Sequence, residues 1–417
     1  MRPFLLVACF SFTVPLLAEN WPAWRGPRGD GVTNEADLPL QWSAAEGVRW
    51  KIDLPERGNS SPIVWGDRVF LTQPVASRRT LLCLDRKDGH TLWQAGPEWK
   101  EADPTHPTNP YCSPSPVTDG ERVIAWFGSS GLWCWAPDGK EEWHIDLGKQ
   151  SHQWGYAASP LLHGDLCILN FGPGARSFIV AVDKRTGKEA WRFAVPEPAT
   201  NEGPGGGSAG YTGSWNTGVV AEIAGRKEYI LSLPGAVYSL DPLTGKELWH
   251  CNGLNPLAYA EPIIGEGVIG GFGGFGGYSL AVKTGGSGDI TATHRLWQEK
   301  KNPQRIGTSM AVGRYAWLTG EPGVIQCIEL DTGKTLWQER MKTPSGGAGT
   351  WSSLVRSGDR IYAVTQASDV VVFRASPEKY EQLAVNSLGD GLTNSSLAIS
   401  DGQIFLRTHK HLWCIGK

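Results

Sequence analysis

Apolar residues along this chain fall in short runs punctuated by Gly, Pro, Asp and Asn, and the runs recur with a long period. An apolar stretch such as Thr80–Leu84 or Ser177–Val182 leads into an acidic residue, a short polar turn containing Gly, and a second stretch that ends in Trp. Clear copies are D-R-K-D-G-H-T-L-W ending at Trp93, D-K-R-T-G-K-E-A-W at Trp191, D-P-L-T-G-K-E-L-W at Trp249 and E-L-D-T-G-K-T-L-W at Trp337. A shortened copy ends at Trp143, and Trp50 and Trp297 close copies whose turns have drifted. Short runs bounded by turn formers read as strands, and the Gly supplies the positive φ of a tight hairpin. Each copy is therefore part of a small antiparallel sheet, and the repetition sets the architecture.

The closing Trp residues lie 40 to 58 residues apart, which allows four short strands per repeat. Many repeats open on a small residue and Pro before an apolar strand, as in Ser61-Pro62, Ser115-Pro116 and Ser159-Pro160, with Glu261-Pro262 at the same place. Pro is tolerated at the first position of a strand. A repeat from Ser352 to about Leu383 lacks the Trp and has Tyr380 nearby. Val48–Leu54 has a closing Trp but no earlier strands, whereas Ser395–Ile399, Gln403–Arg407 and Leu412–Ile415 have no closing strand. Joining the two ends completes a unit and removes open sheet edges. The expectation is an all-β fold, an eight-bladed β-propeller over residues 47–417, behind an irregular collar at 19–46. Trp50, Trp93, Trp143, Trp191, Trp249, Trp297 and Trp337 are expected to be structural, docked between blades, because a large aromatic at one fixed place per repeat buries area.

Composition narrows the function. Lys and Arg number 39 against 42 acids, with no long basic block, which argues against nucleic acid. Twenty Trp and 53 Gly suit a repeated sheet with Gly turns. Residues 1–18 have a short charged start and an apolar run to Leu17, the pattern of a cleaved export signal too short to span a membrane. A periplasmic or extracellular protein, monomeric and without a transmembrane segment, is expected. Of eight cysteines, Cys9 falls in the leader; the remaining seven are an odd number with no C-x-x-C, so at least one is free and no zinc or thioredoxin-like motif is present. G-x-S-x-G and H-E-x-x-H are also absent. The glycine-rich Gly270–Tyr278 lies between strands rather than before a helix, so it is read as a hairpin loop and not a dinucleotide motif.

Tight turns such as Gly66-Asp67 and Asp119-Gly120 share one face of the disc with the Gly-containing turns. The other face carries the long connections between blades, where function concentrates. His106, Asn109 and Tyr111 lie in one such loop; His152, Trp154 and Tyr156 in the next; Glu202, Tyr211 and Trp215 in the third; then Tyr259 and Glu261, with Arg305 and Trp351 beyond. These are expected to converge on the mouth of the central channel as a ligand-binding set. No catalytic residue and no metal ligand is assigned.

The repeat, almost letter for letter in Val182–Trp191 and Leu240–Trp249, resembles the PQQ-like β-propeller repeat shared by quinoprotein alcohol dehydrogenases and the outer-membrane assembly factor BamB. W-P-A-W-R-G-P-R-G-D-G-V, from Trp21 to Val32, is similar to the start of a group of exported PQQ-binding-like proteins. The resemblance covers nearly the whole chain after the leader and implies the propeller, with the Trp residues docking blades. For function it implies two classes: a non-catalytic binding or scaffolding propeller whose loop face holds a protein, peptide or glycan, or a quinoprotein oxidoreductase with PQQ and Ca²⁺. The enzymes of this family carry adjacent cysteines beside the cofactor, a Ca²⁺ site of Glu, Asn and Asp, and a catalytic Asp. No two cysteines are adjacent here, and Glu202, Asn216 and Glu261 would have to supply a reduced site. The binding module, with no cofactor, is the expectation.

Overall fold

The computed structural model describes residues 19–174, 176–199, 202–203, 212–304 and 306–416. Among these, eight four-stranded antiparallel meanders form blades 1 to 8 in chain order, two of them extended by a short parallel strand, and a separate two-stranded parallel ladder joins Gly213–Ser214 to Leu257–Ala258. Blade 3 is representative: Leu161–His163, Leu166–Phe171, Phe178–Asp183 and Glu189–Ala194 succeed one another as a meander from the channel outward. The middle strands are almost wholly apolar and buried because both of their faces pack on neighbouring blades. The fourth strand buries only Trp191, with Phe193 half-buried.

Ring closure occurs as the terminal repeats require. Val48–Asp53 pairs antiparallel with His411–Ile415, Trp50 opposite Cys414, and completes blade 8 outside Gln403–Arg407 and Ala398–Ser400. The seam with blade 1 is further tied by the buried Arg407, which donates to the carbonyls of Ser60 and Thr72, the latter at 2.9 Å.

Each closing Trp reaches into the next blade. The indole N–H of Trp50 donates to Arg86 O (2.8 Å), Trp93 to Pro137 O (2.9 Å), Trp143 to Lys184 O (3.0 Å), Trp191 to Pro242 O (3.1 Å), Trp297 to Leu330 O (2.8 Å) and Trp337 to Ser376 O (3.1 Å). For five of these, the ring lies on the turn Gly of the receiving blade. A Cβ at Gly89, Gly139, Gly187, Gly245 or Gly333 would stand 2.3 to 2.9 Å from it. The turn glycine thus answers two demands, a φ near +70° to +90° and a flat seat for an indole.

Two junctions depart from this pattern. Trp249 donates instead to Glu228 Oε2 (2.7 Å) in its own blade, because blade 5 replaces the tight turn with residues 284–294. There Gly288–Asp289 adds in parallel to the edge of blade 4. In blade 7 the closing strand is Gln382–Ser387, and Ala384 sits where the others have Trp. The collar sends Trp42 into that same buried cluster, with Leu388 and Phe405.

The collar has little regular structure beyond the two-residue strand Val32–Thr33, and it is anchored to the disc at several points. Trp21 bridges Val64 in the first strand of blade 1, and Val32–Thr33 pairs in parallel with Val355–Ser357 in the first strand of blade 7. Between these anchors the chain enters the central channel from the tight-turn face and folds back, with Trp24-Arg25 at its tip.

The seven cysteines among the described residues are all free and buried, and burial pushes their thiols up, Cys251 to about 11. They serve as small apolar core residues.

Two outcomes test this account. A chain ending at Asp401, which lacks two strands of blade 8, will lose the single cooperative unfolding transition seen by calorimetry; a melt like that of the full chain refutes closure. Trp191→Ala will destabilise by roughly 3–5 kcal/mol. Gly245→Ala will cost much less in that background than in wild type, a coupling of roughly 0.5–3 kcal/mol in denaturant titrations, and strict additivity would show that the seat is not shared.

Candidate functional site

Each first strand begins at the channel on the loop face, and one side chain there belongs to a ring. Seven hydroxyls, Ser61, Ser115, Ser159, Thr217, Thr308, Ser353 and Ser396, each accept a backbone N–H from the preceding blade at 2.8 to 3.1 Å. The eighth position is Glu261, whose carboxylate accepts the N–H of Gly218. The opening small residue of the repeat is therefore a link between blades as well as a strand start. Among the described residues, Ser115, Ser159, Ser353 and Ser396 donate their own hydroxyl protons to no protein acceptor, which leaves those donors for the channel.

Glu261 differs from its ring mates because of the plug. Arg25 Nε stands 3.3 Å from Glu261 Oε2, both side chains only 3% exposed. Its other donors meet backbone: Asp30 O at 2.7 Å, Ser309 O at 3.3 Å and Leu354 O at 3.4 Å. A guanidinium keeps its charge, so burying it demands an acidic partner, and blade 5 supplies one. Burial is the largest influence on that carboxyl and raises it to about 8, with Arg25 and the Gly218 amide pulling the other way.

Above the ring lies a cavity of about 400 Å³. Trp24, at the tip of the plug, belongs to its lining with five ring serines. On one side Trp154, Trp215, Tyr259 and Phe275 follow one another as a row of rings. Trp215 and Tyr259 lie 4.7 Å apart at 14°, and Trp154 is 5.9 Å from Trp215 at 32°. Elsewhere the wall is formed by Trp351, held by its indole N–H on Glu321 Oε1 (2.9 Å), and by His106, Thr108 and Asn109. Asn59 and Asn394, from blades 1 and 8, both donate to Thr108 O, at 2.9 and 3.2 Å, and fix that loop over the mouth. No Asp, Glu, Lys or Arg occurs among the described lining residues.

The structure brings six of the sequence-predicted site residues to this cavity: His106, Asn109, Trp154, Trp215, Tyr259 and Trp351. Others are elsewhere. His152 is buried behind the wall, edge-on to Trp215 at 5.0 Å. Tyr156 is 2% exposed and packs on Trp126, because its loop dives into the core between blades 2 and 3. Tyr111 lies under the Arg79 guanidinium (3.6 Å) and donates to Asp103 O (2.8 Å). Glu202 pairs with Lys300 (3.0 Å) at a second, smaller cavity. Glu261 lies in the ring against Arg25, and Asn216 is buried with its amide on Ala260 O (2.6 Å). Tyr211 and Arg305, like residues 1–18 where an export signal is expected, lie outside the described residues. Sequence reasoning missed Trp24, Asn59, Asn394, Phe275 and the ring serines. Only the recurrent Ser-Pro starts signalled any of them.

Among the described residues, one group of three metal-capable side chains occurs, Asp85, Asp88 and His90, in an exposed turn on the opposite face.

Residues 32–172 and 175–417 match the family model described as outer membrane protein assembly factor BamB. The chain is 26% identical over 261 residues to that factor from Burkholderia pseudomallei, covering 62% of this chain and 55% of the relative. It is 28% identical over 173 residues to the quinohemoprotein alcohol dehydrogenase ADH-IIG of Pseudomonas putida, covering 38% of this chain and 22% of the relative. The chain thus matches less than two thirds of the length of either. Among solved structures, BamB from Moraxella catarrhalis superposes with a TM-score of 0.60 at 14% identity, covering 88% of this chain and 96% of that one, a likeness of fold.

The Arg25–Glu261 pair makes a testable pH signature. The folded state binds the Glu261 proton more tightly than the unfolded state, so this group's stabilisation is complete below about 4.5 and is lost as pH rises toward about 8. Relative to Glu261→Gln, wild-type melting temperature will fall across that interval. A difference that is flat with pH would mean that Arg25 holds the carboxylate ionised throughout.

Proposed function

The chain belongs to the family of the outer membrane protein assembly factor BamB, and from that premise we propose that it is a non-catalytic binding module whose ligand enters the cavity on the loop face. The observation that carries this reading is the cavity itself: closed beneath by Trp24 and the plug, walled by aromatic rings, and free of charged side chains among its described lining. A concave, largely apolar pocket with a few convergent polar groups is the usual form of a small-ligand site. Among the described residues no helix is long and apolar enough to cross a membrane, and export through the leader is part of the same proposal.

The quinoprotein reading is less well supported by the same geometry. PQQ is a tricarboxylate held with Ca²⁺, a hard cation that takes carboxylate and carbonyl oxygens. The described lining offers neither the carboxylates for the cation nor cationic groups for the quinone acids. Glu202, Asn216 and Glu261 are committed to Lys300, Ala260 O and Arg25. No two cysteines are adjacent. These residues do not fit the cofactor, and no catalytic step is derived through it.

Incubation with PQQ and Ca²⁺, followed by dye reduction over primary alcohols and aldoses, will give no turnover. Turnover that vanishes on chelation and returns with Ca²⁺ would replace the binding module with an oxidoreductase.

A further inference from the structure

On the reading of the loop face as a binding site, we infer that its ligand is a neutral saccharide, the end of an uncharged glycan chain seated in the cavity above the serine ring. Three features carry this. Among the described lining residues there is no Asp, Glu, Lys or Arg, so a strongly charged ligand would be desolvated without a counter-charge. The floor presents the hydroxyls of Ser115, Ser159, Ser353 and Ser396, each of which accepts a backbone N–H and among the described residues donates to no protein acceptor, and so offers several donors at once to a ligand rich in acceptor oxygens. Trp24 and Trp351 add aromatic surface, against which the C–H faces of a pyranose ring pack while its hydroxyls point to polar neighbours.

The same geometry disfavours other occupants. A quaternary ammonium ion needs ring faces converging on one point, whereas Trp215 and Tyr259 are stacked face to face at 4.7 Å and Trp154 leans on Trp215. A peptide chain terminus needs a charged or backbone nest to capture it, whereas the described lining has no Asp, Glu, Lys or Arg and the Asn59 and Asn394 amides are already engaged on Thr108 O. A volume of about 400 Å³ suits terminal sugar rings and is small for a folded protein segment. The rest of a chain would lie across the Thr108 loop, whose clamping by Asn59 and Asn394 keeps the mouth formed without ligand.

The test is a printed array of neutral and acidic glycans probed with the full protein, followed by calorimetric titration of the best neutral oligosaccharide. We expect saturable binding to neutral glycans, at least tenfold weaker in Trp351→Ala, which will melt like wild type, and in Ser353→Ala, which will melt lower because the Thr308 N–H loses its acceptor. If either variant proves unstable, competition by the free oligosaccharide against quenching of wild-type tryptophan fluorescence by iodide gives the same answer, protection being expected. Preference for uronic-acid or sialylated glycans, or binding of tetramethylammonium at the same site, overturns the inference. So does silence across the array with fluorescence changes on titrating a mixed peptide library, which leaves the binding-module reading standing. Turnover with PQQ and Ca²⁺ sinks both.

Discussion

The fold depends on a contact that crosses from one blade to the next at most junctions: an indole laid on a glycine, with its N–H on a carbonyl at the start of the receiving turn. A single repeat cannot bury its apolar faces alone. Its fourth strand is half exposed, and the Trp there is the side chain that commits the blade to a neighbour. Removing the Cβ from the seat lets the ring approach the backbone closely enough for the hydrogen bond, so Trp and Gly are a single requirement written in two repeats. The exceptions obey the same need. Where blade 5 lacks the turn, the Trp249 N–H is satisfied by Glu228, itself held by Ser239 and Arg226. Where blade 7 has Ala384, Trp42 reaches the cluster from the collar.

A second ring of contacts runs inside the first. At the channel seven blades give a backbone N–H to a hydroxyl of the following blade and blade 4 gives one to the Glu261 carboxylate, so the blades are linked at their inner and outer edges. Any channel through such a disc poses the problem of its polar lining, and this chain solves it with its own N-terminal segment. Arg25 satisfies carbonyls of blades 6 and 7 that the first strands leave unpaired. Its charge then has to be met within the protein, and Glu261 replaces a ring hydroxyl to do so. Neither residue makes sense singly: a serine at 261 would strand the guanidinium, and an apolar residue at 25 would strand the carboxylate.

The blades were legible because their signals are local and repeated. The acidic residue, Gly and Trp lie within a nine-residue stretch from Asp85 to Trp93 and again from Asp241 to Trp249, and the unequal complement of strands at the two ends pointed to closure. The collar was not legible, since Trp21, Arg25 and Trp42 find partners in blades 1, 5 and 7, far along the chain, and no second copy exists to show their register. Of the site, the aromatic and amide residues of the long loops stood out by type. Whether a loop residue faces the channel or turns into the core depends on backbone direction, which is why Tyr156 and Trp154, two positions apart, have opposite fates. The ring serines carry no chemical flag in sequence; only their shared distance from the centre makes them a set.

These layers together determine what kind of site the loop face can be. An open propeller channel is a conduit, and its mouth has no floor. With the collar threaded in from the far side, the conduit becomes a blind pocket whose depth is set by Trp24 and whose base is a hydroxyl ring already ordered by inter-blade bonds. The pocket therefore forms with the fold itself and asks little further ordering of its ligand. The Arg25–Glu261 pair is sealed beneath the floor, out of reach of anything bound above it. Among the described lining residues there is no Asp, Glu, Lys or Arg, so the recognition proposed above would rest on shape, ring contact and hydrogen bonds rather than on charge.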